Sequence, residues 1–158
     1  MGLERLAKRL GARLKRRKLL LATAESCTGG WIAQAVTSVP GSSSWFERGF
    51  VTYSNEAKKE MLGVRASTLS RHGAVSEETA REMAAGALRR SAAHVAVAVT
   101  GVAGPGGGTR AKPVGMVCFA WALRRAAPQS ATRRFSGGRE SVRHRSVAEA
   151  LRGLLERV

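Results

Sequence analysis

The sequence predicts an α/β domain in which a central sheet is covered by helices on both faces, and three observations carry that expectation. Strand-like apolar runs alternate with segments whose apolar residues recur at helical spacing. A chain of 158 residues suits one domain, spanning 1–158, with room for a single core but not for two ordinary ones. The composition, 44% apolar with only 5% aromatic, points to a globular core of Ala, Val and Leu.

Leu3, Leu6, Ala7, Leu10 and Leu14 fall at helical spacing with Arg and Lys opposite, which predicts an amphipathic helix ending near Leu14. A strand over Lys18–Thr23 follows, then a short helix over Gly29–Ser38, closed by Pro40-Gly41 and the loop Ser42–Ser44. Phe50–Tyr53 is a short β-prone run. Ser54 suits the N-cap of a helix over Asn55–Leu62, and Gly63 its C-cap. Ser76 caps a longer helix, with Glu77 and Glu78 at its positive end and Arg89-Arg90 at the other. Its apolar stripe is Ala80, Met83, Ala84, Ala87 and Leu88. Val95, Val97 and Val99 predict a largely buried strand, followed by the glycine loop Gly101–Gly108 and a strand over Val114–Leu123. Thr132–Phe135 adds an edge strand, and Val142, Val147, Leu151, Leu154, Leu155 and Val158 pattern a closing helix.

Charge and composition narrow the function classes. With 27 Lys and Arg against 11 acids the formal charge is +16, which attracts phosphates, nucleic acid and other anions. All the acids are Glu; without an Asp, a Ser–His–Asp triad is excluded. Cys27 and Cys118 form no disulfide framework and no metal-ligand spacing, so a cytoplasmic, metal-free protein is expected. Basic residues before Leu19–Leu21 imitate a signal peptide, but the apolar run is far shorter than the ~7–15 residues required. It is shorter still than the ~20 that span a bilayer, so no membrane partner is expected. The basic clusters are not interleaved with aromatics and carry no RRM, KH or zinc-finger signature, which disfavours nucleic acid as partner.

Chemistry centres on Thr23-Ala24-Glu25-Ser26-Cys27-Thr28-Gly29-Gly30, where an apolar strand hands over to a helix. A serine there sits among unpaired N–H groups at a positive helix end, which makes Ser26 the first candidate nucleophile. It needs a base. His72 precedes Gly73 in a loop, His94 starts a strand and His144 lies among arginines; turn, packing or solvation accounts for each. Lys58, on the first turn of the helix capped by Ser54, is a base candidate if desolvated, although Lys58-Lys59 by itself reads as a solvated pair. Tyr53, the sole tyrosine, reads as strand-end packing. The loop Gly101-Val102-Ala103-Gly104-Pro105-Gly106-Gly107-Gly108-Thr109 can close N–H groups on an anion, but it is neither a Walker A loop nor a GxGxxG motif. Thr100, before it, can donate its hydroxyl into the same pocket.

The stretches Ala24–Gly30, Pro40–Ser43, Val51–Lys58, His72–Glu77, Thr100–Gly108 and Lys112–Gly115, in that order, resemble the CinA C-terminal domain family. Its stand-alone members include nicotinamide-nucleotide amidases. The resemblance implies a three-layer α/β/α sandwich and hydrolysis of the carboxamide of nicotinamide mononucleotide, NMN. It implies Ser26 as nucleophile and Lys58 as base, with Tyr53 and Thr100 assisting, and Cys27, Thr28, Gly29 and Gly30 as substrate-binding backbone. Gly101, Gly104 and Gly106, with Lys112 and Arg139, are the expected phosphate contacts. No cofactor is implied; the expected partners are a small nucleotide and further copies of this chain in a homo-oligomer. Gly138 stands where many relatives carry Asp, and the absence of the longer members' pyrophosphatase-like domain implies a single activity.

Overall fold

The computed structural model describes residues 2–158. Helix α1 (Leu3–Arg17) leads into β1 (Leu21–Glu25) and α2 (Trp31–Thr37), and a single 3-10 turn at Ser42–Ser44 precedes β2 (Phe46–Val51). Three helices follow, α3 (Asn55–Leu62), α4 (Ala66–His72) and α5 (Glu77–Arg89). The chain then forms β3 (Val95–Gly101), β4 (Met116–Leu123), β5 (Gln129–Arg134) and α6 (Arg139–Arg157).

The strands lie in the order β2-β1-β3-β4-β5. β1 is parallel to both β2 and β3, whereas β4 and β5 are antiparallel to their neighbours. The expected sheet with helices on both faces is what forms.

Strict alternation in β3 and β4 explains the two unlike layers. Val95, Val97, Val99, Val117, Phe119 and Trp121 face α1, α2 and α6 in one core. Ala96, Ala98, Cys118, Ala120 and Ala122 face α5 in the other, where Ala80, Met83, Ala84 and Ala87 answer them. Side chains alternate across a strand, so one face is bulky and the other nearly flat. The flat face lets α5 approach closely, and α5 in turn receives α3. A Cβ on Gly86 would lie 1.9 Å from Leu62 O, so only glycine fits beneath the end of α3.

Several boundaries differ from the sequence expectation. The first helix continues to Arg17 because its Lys and Arg residues are good helix formers; Lys18, at φ 57°, closes it, so β1 begins at Leu21 and runs to Glu25. The second strand is Phe46–Val51, not Phe50–Tyr53: it is an edge strand, and its exposed Arg48 and Gly49 hide its β pattern. Helix α4 was not expected, being short, mostly exposed and without a side-chain cap. Its last residue is His72, which the sequence placed in a loop. β5 runs from Gln129 to Arg134, three residues before the expected start, and α6 begins at Arg139. Gly138 is the N-cap of α6 and supplies no side-chain hydrogen bond, which is what the missing Asp means structurally. Among the described residues no helix is long and apolar enough to cross a membrane.

Candidate active site

Parallel pairing brings three strand ends to one edge of the sheet. Glu25 pairs with Val51 on one side and Val99 on the other. The residues that continue these strands therefore gather there, at the carboxyl edge where open α/β sheets place their ligands. They line a cavity of about 290 Å³ with Ser26, Cys27, Tyr53, Lys58, Thr100, Gly101, Gly104, Gly106 and Arg139 in its walls.

Ser26 leaves β1 at the start of a tight turn, and its N–H extends the sheet by donating to Val99 O at 2.9 Å. Gly29 at φ 59° and Gly30 at φ 101° complete the turn in a conformation that other residues resist. Lys58 comes from α3. Ser54 caps that helix by accepting from Ala57 N, and Lys58 and Leu62, four residues apart, share its buried face. Lys58 is only 1% exposed, and its Nζ lies 2.9 Å from Ser26 Oγ.

Nζ also donates to Thr52 O at 2.9 Å and Tyr53 O at 3.2 Å. Both are carbonyls and can only accept. A neutral amine has two N–H donors and one lone pair, so with both donors committed the lone pair is left for the Ser26 hydroxyl. Burial favours that form by pushing Lys58 below the ordinary lysine pKa, outweighing a smaller opposing influence from Cys27. No carboxylate pairs with Lys58 among the described residues. The Cys27 thiol beside it is pushed up to about 12, chiefly by burial, and so stays protonated.

The remaining candidates divide. Tyr53 is 61% exposed at the mouth, and its hydroxyl accepts from Arg139 Nη2 at 3.0 Å. Arg139 also donates to Gly104 O at 2.7 Å, which ties the glycine loop to the first turn of α6. Thr100 lines the cavity, but its hydroxyl donates to Ala74 O at 2.9 Å; contrary to expectation it offers the cavity lone pairs and not a proton. Lys112 is not brought to the cavity. Its ammonium bonds His72 O, and it lines a neighbouring depression with Glu77 and Cys118. Thr28 is fully buried, and Thr28, Gly29 and Gly30 do not line the cavity.

The model of the CinA C-terminal domain matches residues 3–158. The chain belongs to the CinA C-terminal domain family. This CinA domain is 54% identical over 154 residues to nicotinamide-nucleotide amidohydrolase PncC of Escherichia coli, covering 96% of this chain and 92% of that protein. The PncC of Pseudomonas putida is 53% identical over 151 residues, covering 96% and 94%. Among solved structures, the competence/damage inducible protein CihA from Agrobacterium tumefaciens superposes with a TM-score of 0.95 at 49% identity, covering 98% of this chain and 94% of that one. The competence damage-inducible protein A from Klebsiella pneumoniae reaches 0.96 at 39% identity, covering 99% and 97%.

Two residues of this CinA domain escaped the sequence reading. Glu25 is fully buried, and its carboxylate accepts from Thr28 Oγ1 at 2.6 Å, Ile32 N at 2.8 Å and Ala33 N at 3.0 Å. It caps α2 from the strand side and holds the turn after Ser26. The signal was present: an acid three residues before Thr28, ahead of a helix that lacks a conventional cap. Arg143 approaches from α6, where Nε donates to Cys27 O at 3.1 Å and Nη2 to Thr28 O at 3.2 Å. Nothing in the local sequence distinguished it from the surrounding arginines. The three histidines lie outside the cavity; His94 Nδ1 accepts from Leu20 N, and His144 stacks edge-on against Trp31.

Proposed function

We propose that this chain hydrolyses the carboxamide of NMN to nicotinate mononucleotide and ammonia, with Ser26 as nucleophile and Lys58 as base. The carrying observation is the 2.9 Å contact between Lys58 Nζ and Ser26 Oγ with the other two Nζ contacts on carbonyls. The names of the PncC relatives support the choice of substrate.

In this reading Ser26 Oγ attacks the carboxamide carbon while its proton passes to Lys58 Nζ. The negative charge on the carboxamide oxygen meets the N–H of Cys27, which lines the cavity and enters no backbone–backbone hydrogen bond among the described residues. Lys58 then gives the proton to the departing nitrogen, ammonia leaves, and an acyl ester remains on Ser26. Water attacks that ester and yields its proton to Lys58. Collapse breaks the acyl–oxygen bond, Ser26 recovers the proton, and the nicotinate leaves. Tyr53 supplies a carbonyl to Lys58, and Thr100 a lone pair to the cavity. Arg139 and the loop Gly101–Gly108 offer cationic and backbone groups for the phosphate.

Ammonia release from NMN is the test. Ser26→Ala should abolish it, and Lys58→Ala should lower kcat by about 10²-fold or more, with circular dichroism unchanged. Retention of wild-type turnover by either folded variant would remove the assigned pair.

A further inference from the structure

Arg143 does not line the cavity, yet it touches the turn that carries the nucleophile. Three consecutive carbonyls of that turn are held. Ser26 O accepts from Gly29 N at 3.0 Å; Cys27 O accepts from Arg143 Nε at 3.1 Å; Thr28 O accepts from Arg143 Nη2 at 3.2 Å and Trp31 N at 3.0 Å. The guanidinium is itself oriented, lying 5.4 Å above the Trp31 ring and close against Gly29, where a Cβ would be 3.4 Å from Nη2.

The peptides of the turn are trans, so each N–H points opposite the carbonyl of the same peptide plane. Fixing Cys27 O therefore fixes the Thr28 N–H, turned away from Arg143. Fixing Thr28 O fixes the Gly29 N–H on Ser26 O, and that in turn fixes the Cys27 N–H. Arg143 and Trp31 N together thus hold the carbonyl that, through Gly29, sets the Cys27 N–H. A second clamp, Glu25, occupies the donors of Ile32 and Ala33 farther along α2.

Resting on the function proposed above, we infer that Arg143 is a positioning residue for the reaction: its fork on Cys27 O and Thr28 O holds the turn so that the Cys27 amide, which lines the cavity, is aimed at the oxygen of the attacked carbonyl. It meets no reacting atom. Its neighbour one helical turn earlier, Arg139, enters the cavity, so the start of α6 delivers one arginine to the cavity and one behind its wall.

Arg143→Gln, with Arg143→Lys beside it, tests this by two measurements on the whole protein. One is the 15N–1H resonances of the Cys27 and Thr28 amides without substrate; the other is steady-state hydrolysis of NMN. The expected result for Arg143→Gln is displaced or broadened Cys27 and Thr28 signals, with kcat lower by about 10²-fold and KM within about twofold. Arg143→Lys, which keeps one charged donor, should recover part of kcat. Unmoved amides, or kcat within about twofold of wild type, would overturn the inference, as would equal losses in kcat and in unfolding midpoint with the amides in place. Failure of the functional reading has a different signature. A wild type that releases no ammonia from NMN removes the substrate assignment, while the amide resonances still decide whether Arg143 aims the Cys27 donor.

Discussion

Lys58 is the one buried cation among the described residues, and the absence of a carboxylate partner decides its behaviour. Most buried charges are paired; this one is held by carbonyls, which stabilise N–H donors without supplying negative charge. Because burial lowers its pKa in the folded state, the unfolded chain holds one more proton at pH values between the lowered pKa and the ordinary 10.5. Stability must then rise with pH across that window and level off above it. Urea unfolding of wild type and Lys58→Met at a series of pH values should show the wild type gaining on the variant as pH climbs toward 10.5. Parallel curves would mean that Lys58 keeps an ordinary pKa. In the proposed reaction the same proton governs activity: kcat/KM should increase with pH through the lowered lysine pKa, since only the unprotonated amine accepts from Ser26.

At the scale of elements, the site depends on how closely α3 is seated, and that depends on a glycine in another helix. Leu62 O at the end of α3 would lie 1.9 Å from a Cβ at Gly86 on α5. Gly86→Ala must push α3 outward, and with it Lys58, which the hydroxyl of Ser26 can meet only within hydrogen-bond reach. The expected cost is about 3 kcal/mol of stability, read by denaturant unfolding, together with a fall in ammonia release in whatever remains folded. Gly86 stands mid-helix in a stripe of Ala and Leu, where the sequence offered no reason for it; the reason lies across a helix–helix contact. That contrast describes the sequence reading generally. The alternating Val and Ala of Val95–Val99 announced a buried strand, and Ser54 and Ser76 announced helix starts, because period and caps are local. β2 stayed hidden because an edge strand tolerates charge, α4 because a single buried Thr68 is no pattern. In the site, Ser26 was visible at its junction. Lys58 read locally as half of a solvated pair and became the expected base through the family resemblance; its burial follows from a face shared with Leu62. Arg143 was not visible at all, since its meaning comes from carbonyls 115 and 116 positions away.

For the molecule as a whole, anions are the scarce resource: 11 Glu against 27 Lys and Arg. Surface pairs such as Lys59 with Glu56 and Arg65 with Glu82 use several of them. The one buried Glu among the described residues, Glu25, has its carboxylate taken up by α2 and the Thr28 hydroxyl. Among the described residues no acid pairs with Lys58. A hydrolysed amide is a carboxylate, so in the proposed reaction the first anion that Lys58 meets at close range is the one the enzyme has just made. That newcomer should draw a proton onto the amine and leave the base spent until the product departs. Nicotinate mononucleotide would then bind with uptake of one proton. Its inhibition constant should tighten by about tenfold for each pH unit lowered, until the lysine of the empty enzyme is protonated as well. Inhibition that ignores pH would show that the carboxylate never reaches Lys58. In the proposed reaction the self-limiting end is thus laid down in the amino-acid composition, by a shortage of glutamate in the chain.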